Sequence, residues 1–391
     1  MRYTNADVDE KRLSLFLTIE LFLPAIKFCI VQSIPGLVAY NNVANIIMGL
    51  LFVVLFICNI NLVIKRSSKY IVLTFFTLIL VFLSALIYGD PNVTNFSQAF
   101  IDMAVISCAL FLATVSIRDY NLLFNSLLRG APIVILASIF MVVCTAFFGV
   151  VGTAETNYNM SLSYYVLVPC FVLFAGYLER HTIRHLILFL TGIVVIIAMG
   201  SRGSILCVGL FLVLCLLKTR KITINTVIAL LLATVPTMLL LVNFEKIILR
   251  LYRWLQSLNI DSRTLFKMIQ GSMLDDSNRL NIIKESIETI KDNIFGIGFM
   301  GDLSTHNIII ENLLWFGVIV GMLLNVVLII LIIRTLCLKV NLKNKRDVLI
   351  LVFFCYAIPD AFLNLTVWGK DMFWIYVALM LTLKTPLKLK K

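Results

Sequence analysis

Long apolar runs recur along this chain and are separated by short polar or basic turns. A helix that crosses a bilayer needs about 20 residues, with about 17 to 25 as the usual range. Nine runs meet this requirement, and they lie near 13–34, 42–64, 69–88, 96–116, 131–151, 161–178, 222–243, 308–333 and 347–367. A shorter run at 371–383 is predicted to be a further span.

The stretch 184–218 holds two short apolar runs that are parted by the sequence "GSRG". If both runs belonged to one long helix, Arg202 would lie in hydrocarbon, which costs about 2.5 kcal/mol or more. Two spans avoid this cost. The pattern therefore predicts about twelve transmembrane helices.

The distribution of basic residues gives the orientation of these spans. With the N-terminus in the cytoplasm, every strongly basic turn falls on the cytoplasmic side, as the positive-inside rule requires. The outer turns near 32–41, 89–95 and 152–160 contain no Lys or Arg. If the two runs of 184–218 formed one span, the orientation of every later span would be reversed and the last two basic clusters would lie outside. Both termini are therefore predicted to be cytoplasmic.

Composition agrees with a membrane protein. Of the 391 residues, 61% are hydrophobic and 14% are charged, which is too few polar residues to cover a soluble protein. The prediction is an all-α polytopic integral membrane protein with one transmembrane domain over residues 1–391. The net charge of +12 lies in short turns between spans, so it does not indicate a partner nucleic acid.

Two further patterns concern processing and redox chemistry. The nine cysteines occur singly, without a CxxC pair, and are interpreted as small buried hydrophobic residues rather than metal ligands or disulfides. The first apolar run continues into a full span without a small-residue cleavage site. It is therefore expected to remain in the protein.

One outer segment, 244–304, is about sixty residues long, and loops of this length are usually functional or disordered. The helical periodicity of "EKIILRLYRWLQSL" places apolar residues on one face and Lys246, Arg250 and Arg253 on another. The sequence "SNRLNIIKESIETIKDN" predicts a second amphipathic helix, led by Arg279 and ending before Gly296. We expect an ordered extracytoplasmic loop with two helices.

Candidate chemistry lies where two spans are predicted to begin on the outer face. Ser201 and Arg202 open one span, and the N-terminus of a helix favours phosphates and other anions. His306 precedes the other span and is expected to be neutral there, so it can act as a general base. Asn307 and Glu311 extend the polar face into this span.

Structural roles remain open for the same residues. Arg202 can anchor a turn by reaching lipid headgroups, and His306 can serve as a partner at the helix N-terminus. The basic stripe of the first loop helix can face headgroups. Four ionisable residues within spans are functional candidates by default or line a wet cavity: Glu20, Lys27, Asp102 and Asp360.

The order of these motifs resembles the superfamily of O-antigen ligases and Wzy-type polysaccharide polymerases. The resemblance covers roughly residues 195–325 and is carried by Ser201, Arg202 and Gly203, then Arg279, Gly296, Gly298, His306, Asn307, Glu311, Gly317 and Gly321. The chain departs from the family pattern at Ile294 and Phe295, where proline is frequent before the glycine turn. It departs again at Ile309, where many members have an aromatic residue.

The resemblance implies a metal-independent glycosyltransferase that needs no cofactor. Its donor would be an oligosaccharide on undecaprenyl pyrophosphate at the outer face of the bacterial inner membrane, and its product an O-antigen, capsule or exopolysaccharide. It implies His306, Arg202 and Arg279 as catalytic residues. The expected substrate-binding residues are Ser201, Arg250, Arg253, Asn307 and Glu311.

A polymerase of repeat units is preferred, with a chain-length regulator and a flippase as expected partners besides the bilayer. The rival within the superfamily is the ligase that transfers glycan to lipid A core. From another class, a flippase or transporter of lipid-linked oligosaccharide also suits twelve spans with intramembrane charges, and it predicts matching broken helices in two halves.

Overall fold

The computed structural model describes residues 5–87, 97, 99–148, 160–199, 202–219, 244–258, 266, 269, 279–299, 305, 307–363 and 368–383. Every regular element in this part of the chain is helical. The α-helices are α1 (Asn5–Ser33), α2 (Asn41–Ile87), α3 (Cys108–Ser116), α4 (Tyr120–Phe148), α5 (Met160–Arg180), α6 (Ile183–Met199), α7 (Arg202–Thr219), α8 (Phe244–Ser257), α9 (Arg279–Asp292), α10 (Ile308–Cys337), α11 (Lys345–Leu363) and α12 (Asp371–Leu381). A 3₁₀ helix (Pro35–Tyr40) precedes α2, and a π-helical segment (Asp102–Ser107) leads into α3.

The prediction of an all-α protein with membrane-spanning helices is confirmed at this level. Among the described residues, six helices are long and apolar enough to cross a membrane. Three shorter apolar helices accompany them. The count of twelve spans and the location of the termini stay predictions, and the predicted run 222–243 lies outside the described residues.

Helix α2 reverses the direction of the chain near its middle. A straight helix of 47 residues would separate Phe52 from Leu78 by about 39 Å. Instead these two residues line one cavity of about 360 Å³. Arg66, which lies between them, forms an ion pair with Glu10 near the beginning of α1. The predicted runs 42–64 and 69–88 are therefore two oppositely directed halves of one bent helix.

The stretch 184–218 forms two helices, α6 and α7, as predicted. Helix α7 begins close to the start of α5, because a Cβ on Gly203 would lie 2.2 Å from the Tyr164 hydroxyl. At its other end, Lys218 Nζ donates hydrogen bonds to the carbonyls of Thr335, Leu336 and Leu338 at 3.1, 2.7 and 2.9 Å. Helix α7 therefore runs the length of the bundle towards the end of α10.

Contacts between charged groups gather the basic turns at one end of the bundle. Besides its ion pair with Arg66, Glu10 accepts hydrogen bonds from the backbone N–H groups of Arg118 and Asp119, each at 3.2 Å. Further contacts at this end are Lys345 with Glu179, Arg180 with Asn125, Arg346 with the Thr382 carbonyl, and Tyr120 with the Thr382 hydroxyl. We call this the basic end, and the end that holds Gly203 the opposite end.

The buried core lies between α1, α4, α5, α7 and α11. The rings of Phe171 and Phe211 stack with centroids 4.1 Å apart and join α5 to α7. Seven of the nine cysteines are buried and all nine are free thiols, while Cys58 and Cys337 are exposed. The interpretation of the cysteines as buried apolar residues is therefore confirmed for seven of them.

Candidate functional site

Helix α10 is broken at Gly317. This residue has φ 77° and ψ 170°, which interrupts the helical backbone between 308–316 and 318–337. The chain folds back on itself there, because Asn325 Nδ2 donates a hydrogen bond to the Ile309 carbonyl at 2.9 Å. A straight helix would place these residues about 24 Å apart. The predicted span 308–333 is thus a helical hairpin rather than one continuous helix.

Two amides and an indole hold the halves of this hairpin together. Asn312 Nδ2 donates to Asn325 Oδ1 at 2.9 Å, and Trp368 Nε1 donates to Asn312 Oδ1 at 3.3 Å. Gly321 permits the close approach, because a Cβ there would lie 2.4 Å from the Asn312 carbonyl oxygen. Buried polar groups are stable in such a setting only when they are paired.

The glycine turn that follows α9 docks into the break of α10. The Ile297 N–H donates to the Leu314 carbonyl and the Val318 N–H donates to the Ile294 carbonyl, both at 2.8 Å. These bonds satisfy backbone groups that the break removes from the helical ladder. The two glycines meet face to face, since a Cβ on Gly296 would lie 2.5 Å from the Gly317 nitrogen.

Neighbouring helices complete the surroundings of the break. Ser84, in the second half of α2, donates a hydrogen bond to the Trp315 carbonyl at 3.0 Å. Phe299 packs edge-to-face against Trp315 with centroids 5.3 Å apart, and Phe316 lies against Trp368 at 5.0 Å. The break is therefore enclosed by aromatic rings, and its backbone groups are paired rather than open to lipid.

Ionisable side chains lie within the bundle near this hairpin. Lys370 Nζ forms an ion pair with Asp360 at 3.0 Å, and Asp360 is 1% exposed. Ser107 Oγ, at the end of the π-helical segment, donates to Asp371 Oδ1 at 3.0 Å. Asp371 also interacts electrostatically with Glu20 and Asp102. Three of the four intramembrane candidates therefore meet around α12.

Lys27, the fourth candidate, has a separate environment. Its Nζ donates hydrogen bonds to Asn41 Oδ1 at 3.0 Å and to Asn45 Oδ1 at 2.6 Å. These amides belong to the first turns of α2. Lys27 therefore ties α1 to α2 and does not join Glu20 in this cluster.

Lys370 and Asp371 are not among the residues that the sequence predicts for a site. Asp371 is the first residue of the predicted run 371–383 and Lys370 precedes it, so the hydropathy pattern places both at the boundary of a span instead of its interior. The sequence held a signal, because the apolar run 371–383 is shorter than every other predicted span; the helix that forms there, α12, contains 11 residues and is about 16 Å long. This length is below the usual range for a span, so 371–383 is not confirmed as a full span, and the charges at the beginning of α12 lie inside the bundle.

The structure places the helix-starting residues where the sequence predicts them. Arg202 is the first residue of α7 and Arg279 is the first residue of α9. Asn307 is the N-cap of α10, and its Oδ1 accepts a hydrogen bond from the Ile309 N–H at 3.0 Å. Glu311, in the first turn of α10, is 1% exposed.

The first amphipathic helix is confirmed as α8. Arg250 and Arg253 are exposed, whereas Leu255 on the apolar face is 2% exposed. Leu258 departs from the predicted stripe and is 40% exposed, since it lies beyond the end of the helix. His306 and Ser201 lie outside the described residues, as do the side chains of Arg202 and Arg279.

The prediction that both motif-bearing helices begin on the same outer face and run inward needs correction for α10. Residues 318–337 run from the opposite end to the basic end, so residues 308–316 run the other way. Asn307 therefore lies near the level of Asn325, about 12 Å along the bundle from Gly317. The beginning of α7 lies at the opposite end, while α10 begins deeper in the bundle; which end faces outward stays a prediction.

Replacing Asn325 with Leu is expected to lower the free energy of unfolding by about 1–2 kcal/mol. The substitution leaves the Ile309 carbonyl and the Asn312 amide without Asn325 as a partner. Asn59→Leu is the matched control, because the Asn59 amide donates to the Leu55 carbonyl of its own helix and to no other residue that the structure describes. Melting curves of the purified protein in detergent measure the difference. Equal shifts for the two variants would contradict the role of Asn325 in closing the hairpin.

Replacing Lys370 with Met is expected to destabilise the protein by about 2–3 kcal/mol, because it leaves the buried Asp360 carboxylate without its cation. Adding Asp360→Asn to the same chain should restore most of this loss. Lys343→Met, at an exposed position, is the control for losing one positive charge. A double-mutant cycle of unfolding free energies measures the coupling, and additive effects would show that the pair contributes nothing.

In comparisons with known proteins, no family model, no curated protein and no solved structure matches this chain. Within the described residues, no group of three or more His, Cys, Asp or Glu side chains is placed to hold a metal ion.

Proposed function

We propose that this protein is a polysaccharide polymerase of the bacterial inner membrane. It joins repeat units carried on undecaprenyl pyrophosphate at the outer face, which corresponds to the end opposite the basic end. The proposal rests on the resemblance of residues 195–325 to the O-antigen ligase and polymerase superfamily. The positive-inside rule supports the orientation, because basic side chains gather at the other end of the bundle.

The observation that carries the proposal is the interlock of Gly296 with Gly317. These motif glycines are 21 positions apart in the sequence, yet backbone hydrogen bonds on both sides of the break join them into one unit. The unit links α9, which Arg279 begins, to α10, which Asn307 caps. Broken helices with paired backbone at membrane depth are found where a site or a water-filled cavity lies. The motif residues thus belong to one structural element, as residues of one site should.

The proposed reaction is a displacement at the anomeric carbon of the donor sugar. His306 removes the proton from a hydroxyl of the acceptor sugar, and that oxygen forms the new glycosidic bond. The bond between the anomeric carbon and the pyrophosphate oxygen breaks, and undecaprenyl pyrophosphate leaves with its electron pair. Arg202 and Arg279 stabilise the negative charge on the leaving diphosphate. Arg250 and Arg253 assist from the exposed face of α8, and Asn307, Glu311 and Ser201 bind substrate.

A transporter of lipid-linked oligosaccharide is the second candidate. The broken α10 and the buried pair of Asp360 and Lys370 favour it, because transporters place both features at the middle of the membrane. That class predicts a corresponding broken helix in the other half of the chain. In the described part of the first half, the bend of α2 lies at the basic end, where Arg66 pairs with Glu10, and the π-helical segment that begins at Asp102 keeps a helical backbone.

Deletion of the gene and analysis of glycan length test the proposal against its rivals. A polymerase predicts loss of long polymer while single repeat units still reach the cell surface. A ligase predicts that finished polymer accumulates on the lipid carrier and is absent from lipid A core. A flippase predicts that repeat units remain on the cytoplasmic side. Either of the last two results would overturn the proposal.

A further inference from the structure

Two adjoining cavities open at the basic end, far from the hairpin of α10. One is a pocket of about 400 Å³ between α4, α5 and α6, and the other is a groove of about 670 Å³ between α1 and α4. Asn125 and Arg129 line both cavities. A ligand with a compact head and a long tail can therefore occupy the two together.

The pocket presents positive charge. Arg129, Arg180, Arg184 and His185 line it. Arg129 and Arg184 are exposed, and neither forms an ion pair with any residue that the structure describes. Arg180 donates a hydrogen bond to Asn125 Oδ1 at 2.5 Å, and its Nε lies 3.7 Å from the Glu179 carboxylate, so Arg129 and Arg184 are the two arginines of the pocket that have no carboxylate partner among the described residues. Guanidinium groups without a carboxylate partner are suited to bind phosphate oxygens in pairs.

The groove is apolar along most of its length. It begins beside Lys11 at the basic end and continues between α1 and α4 past Phe22, Leu23, Ile26 and Ile133. Lys11 and Ile26 are fifteen positions apart, which is about 22 Å along α1. One leaflet contributes about 15 Å of hydrocarbon, half of the usual core. The groove is thus long enough for an acyl chain.

A second observation at the polar mouth of the groove points to a ligand. Ser14 lines the groove and is 1% exposed. Its hydroxyl oxygen has no hydrogen-bond partner among the described residues. Buried hydroxyl groups in proteins are normally paired, so an ester or phosphate oxygen in the groove would give the Ser14 hydroxyl the hydrogen-bond partner that it lacks.

We propose that these cavities bind one anionic phospholipid from the leaflet at the basic end. Its phosphate lies among Arg129, Arg180 and Arg184, and one acyl chain follows the groove between α1 and α4. Basic pockets between membrane helices are suited to anionic headgroups, and the apolar groove distinguishes a lipid from a water-soluble phosphate. This site is separate from the proposed transferase site and does not depend on it.

Native mass spectrometry of the full-length protein in detergent tests the site. The probes are phosphatidylglycerol, phosphatidylcholine and soluble glycerol 3-phosphate. The protein is expected to retain one phosphatidylglycerol in the presence of excess phosphatidylcholine. Arg129→Gln combined with Arg184→Gln should weaken this binding about 30-fold, because each cation near the surface contributes roughly a factor of five. The control is Lys339→Gln combined with Lys343→Gln, which removes two exposed charges that do not line the pocket.

A second variant tests the path of the acyl chain. Ile133 is 56% exposed and lines the groove, so Ile133→Trp fills the groove without disturbing the core. It should lower the affinity for phosphatidylglycerol roughly 10-fold, as expected for about two displaced methylene groups. The proposal is overturned if phosphatidylcholine binds equally well, if glycerol 3-phosphate displaces the lipid at equal concentration, or if the control pair weakens binding as much as the arginine pair.

Discussion

Replacing His306 with Ala is expected to abolish long-chain polysaccharide while single repeat units remain. Loss of a general base lowers the rate of proton transfer about 10²–10⁴-fold, and a polymerase slowed to this extent cannot extend a chain. The readout is glycan length on gels of cell-surface polysaccharide, at protein levels matched by immunoblot. His181→Ala is the control, since His181 is exposed in the turn between α5 and α6. It should leave the polymer unchanged.

The same assay tests the proposed anion-binding group, Arg202. Arg202→Ala should reduce long polymer about 10²–10³-fold, the effect of removing one group that stabilises transition-state charge. Arg118→Ala, at an exposed position of the basic end, is its matched control. Normal long-chain polysaccharide in both His306→Ala and Arg202→Ala would defeat the assignment of these residues to catalysis.

Replacing Gly317 with Ala is expected to destabilise the protein by about 3–5 kcal/mol. The backbone of Gly317 has φ 77° and ψ 170°, a conformation that is strained for any residue with a Cβ. The added Cβ would also lie 2.4 Å from the Phe295 carbonyl, so the glycine turn would have to move away from the break. Melting temperature in detergent and polymer length in cells should both fall.

Gly209 provides the control for this substitution. It lies inside α7, and a Cβ there would meet nothing within 4 Å. Gly209→Ala should therefore be neutral or stabilising by up to about 1 kcal/mol, because alanine is the better helix former. If Gly317→Ala and Gly209→Ala had equal stability, the interlock of the glycine turn with α10 would not exist as described.

Local features of the fold could be predicted from the sequence. The charge of Arg202 was sufficient to separate α6 from α7, because an arginine in the middle of a span is costly. Periodicity identified α8, and an apolar stripe with a glycine beyond it identified α9. These predictions succeeded because helix starts, helix ends and amphipathic faces depend on residues within a few turns of one another.

The hairpin of α10 could not be predicted in this way. Hydropathy measures how apolar a run is and carries no information about its direction, so 308–333 was interpreted as one span. The reversal depends on contacts between distant residues, such as Asn325 with Ile309 and Ile297 with Leu314. Glycines within an apolar run allow such a break, but they equally occur in straight membrane helices.

The cluster around α12 was missed for a similar reason. Ser107 and Asp371 are separated by 264 positions in the sequence, and nothing near either residue indicates the other. Asp360 and Lys370 are only ten positions apart, yet the chain reverses between α11 and α12. Asp360 and Lys370 pair because the chain reverses there, and a hydropathy pattern does not indicate such a reversal.

Accessibility of cysteines in intact cells tests most directly the claim that the site opens on the outer side. The starting chain carries Cys58→Ser and Cys337→Ser, since these two thiols are exposed. Arg202→Cys and Phe295→Cys, the latter at a position that is 70% exposed, should then react with a membrane-impermeant maleimide added to whole cells. Lys339→Cys, at the basic end, should react only after the membrane is permeabilised. Labelling of positions 202 and 295 from opposite sides, or of both only after permeabilisation, would contradict glycan transfer at the outer face.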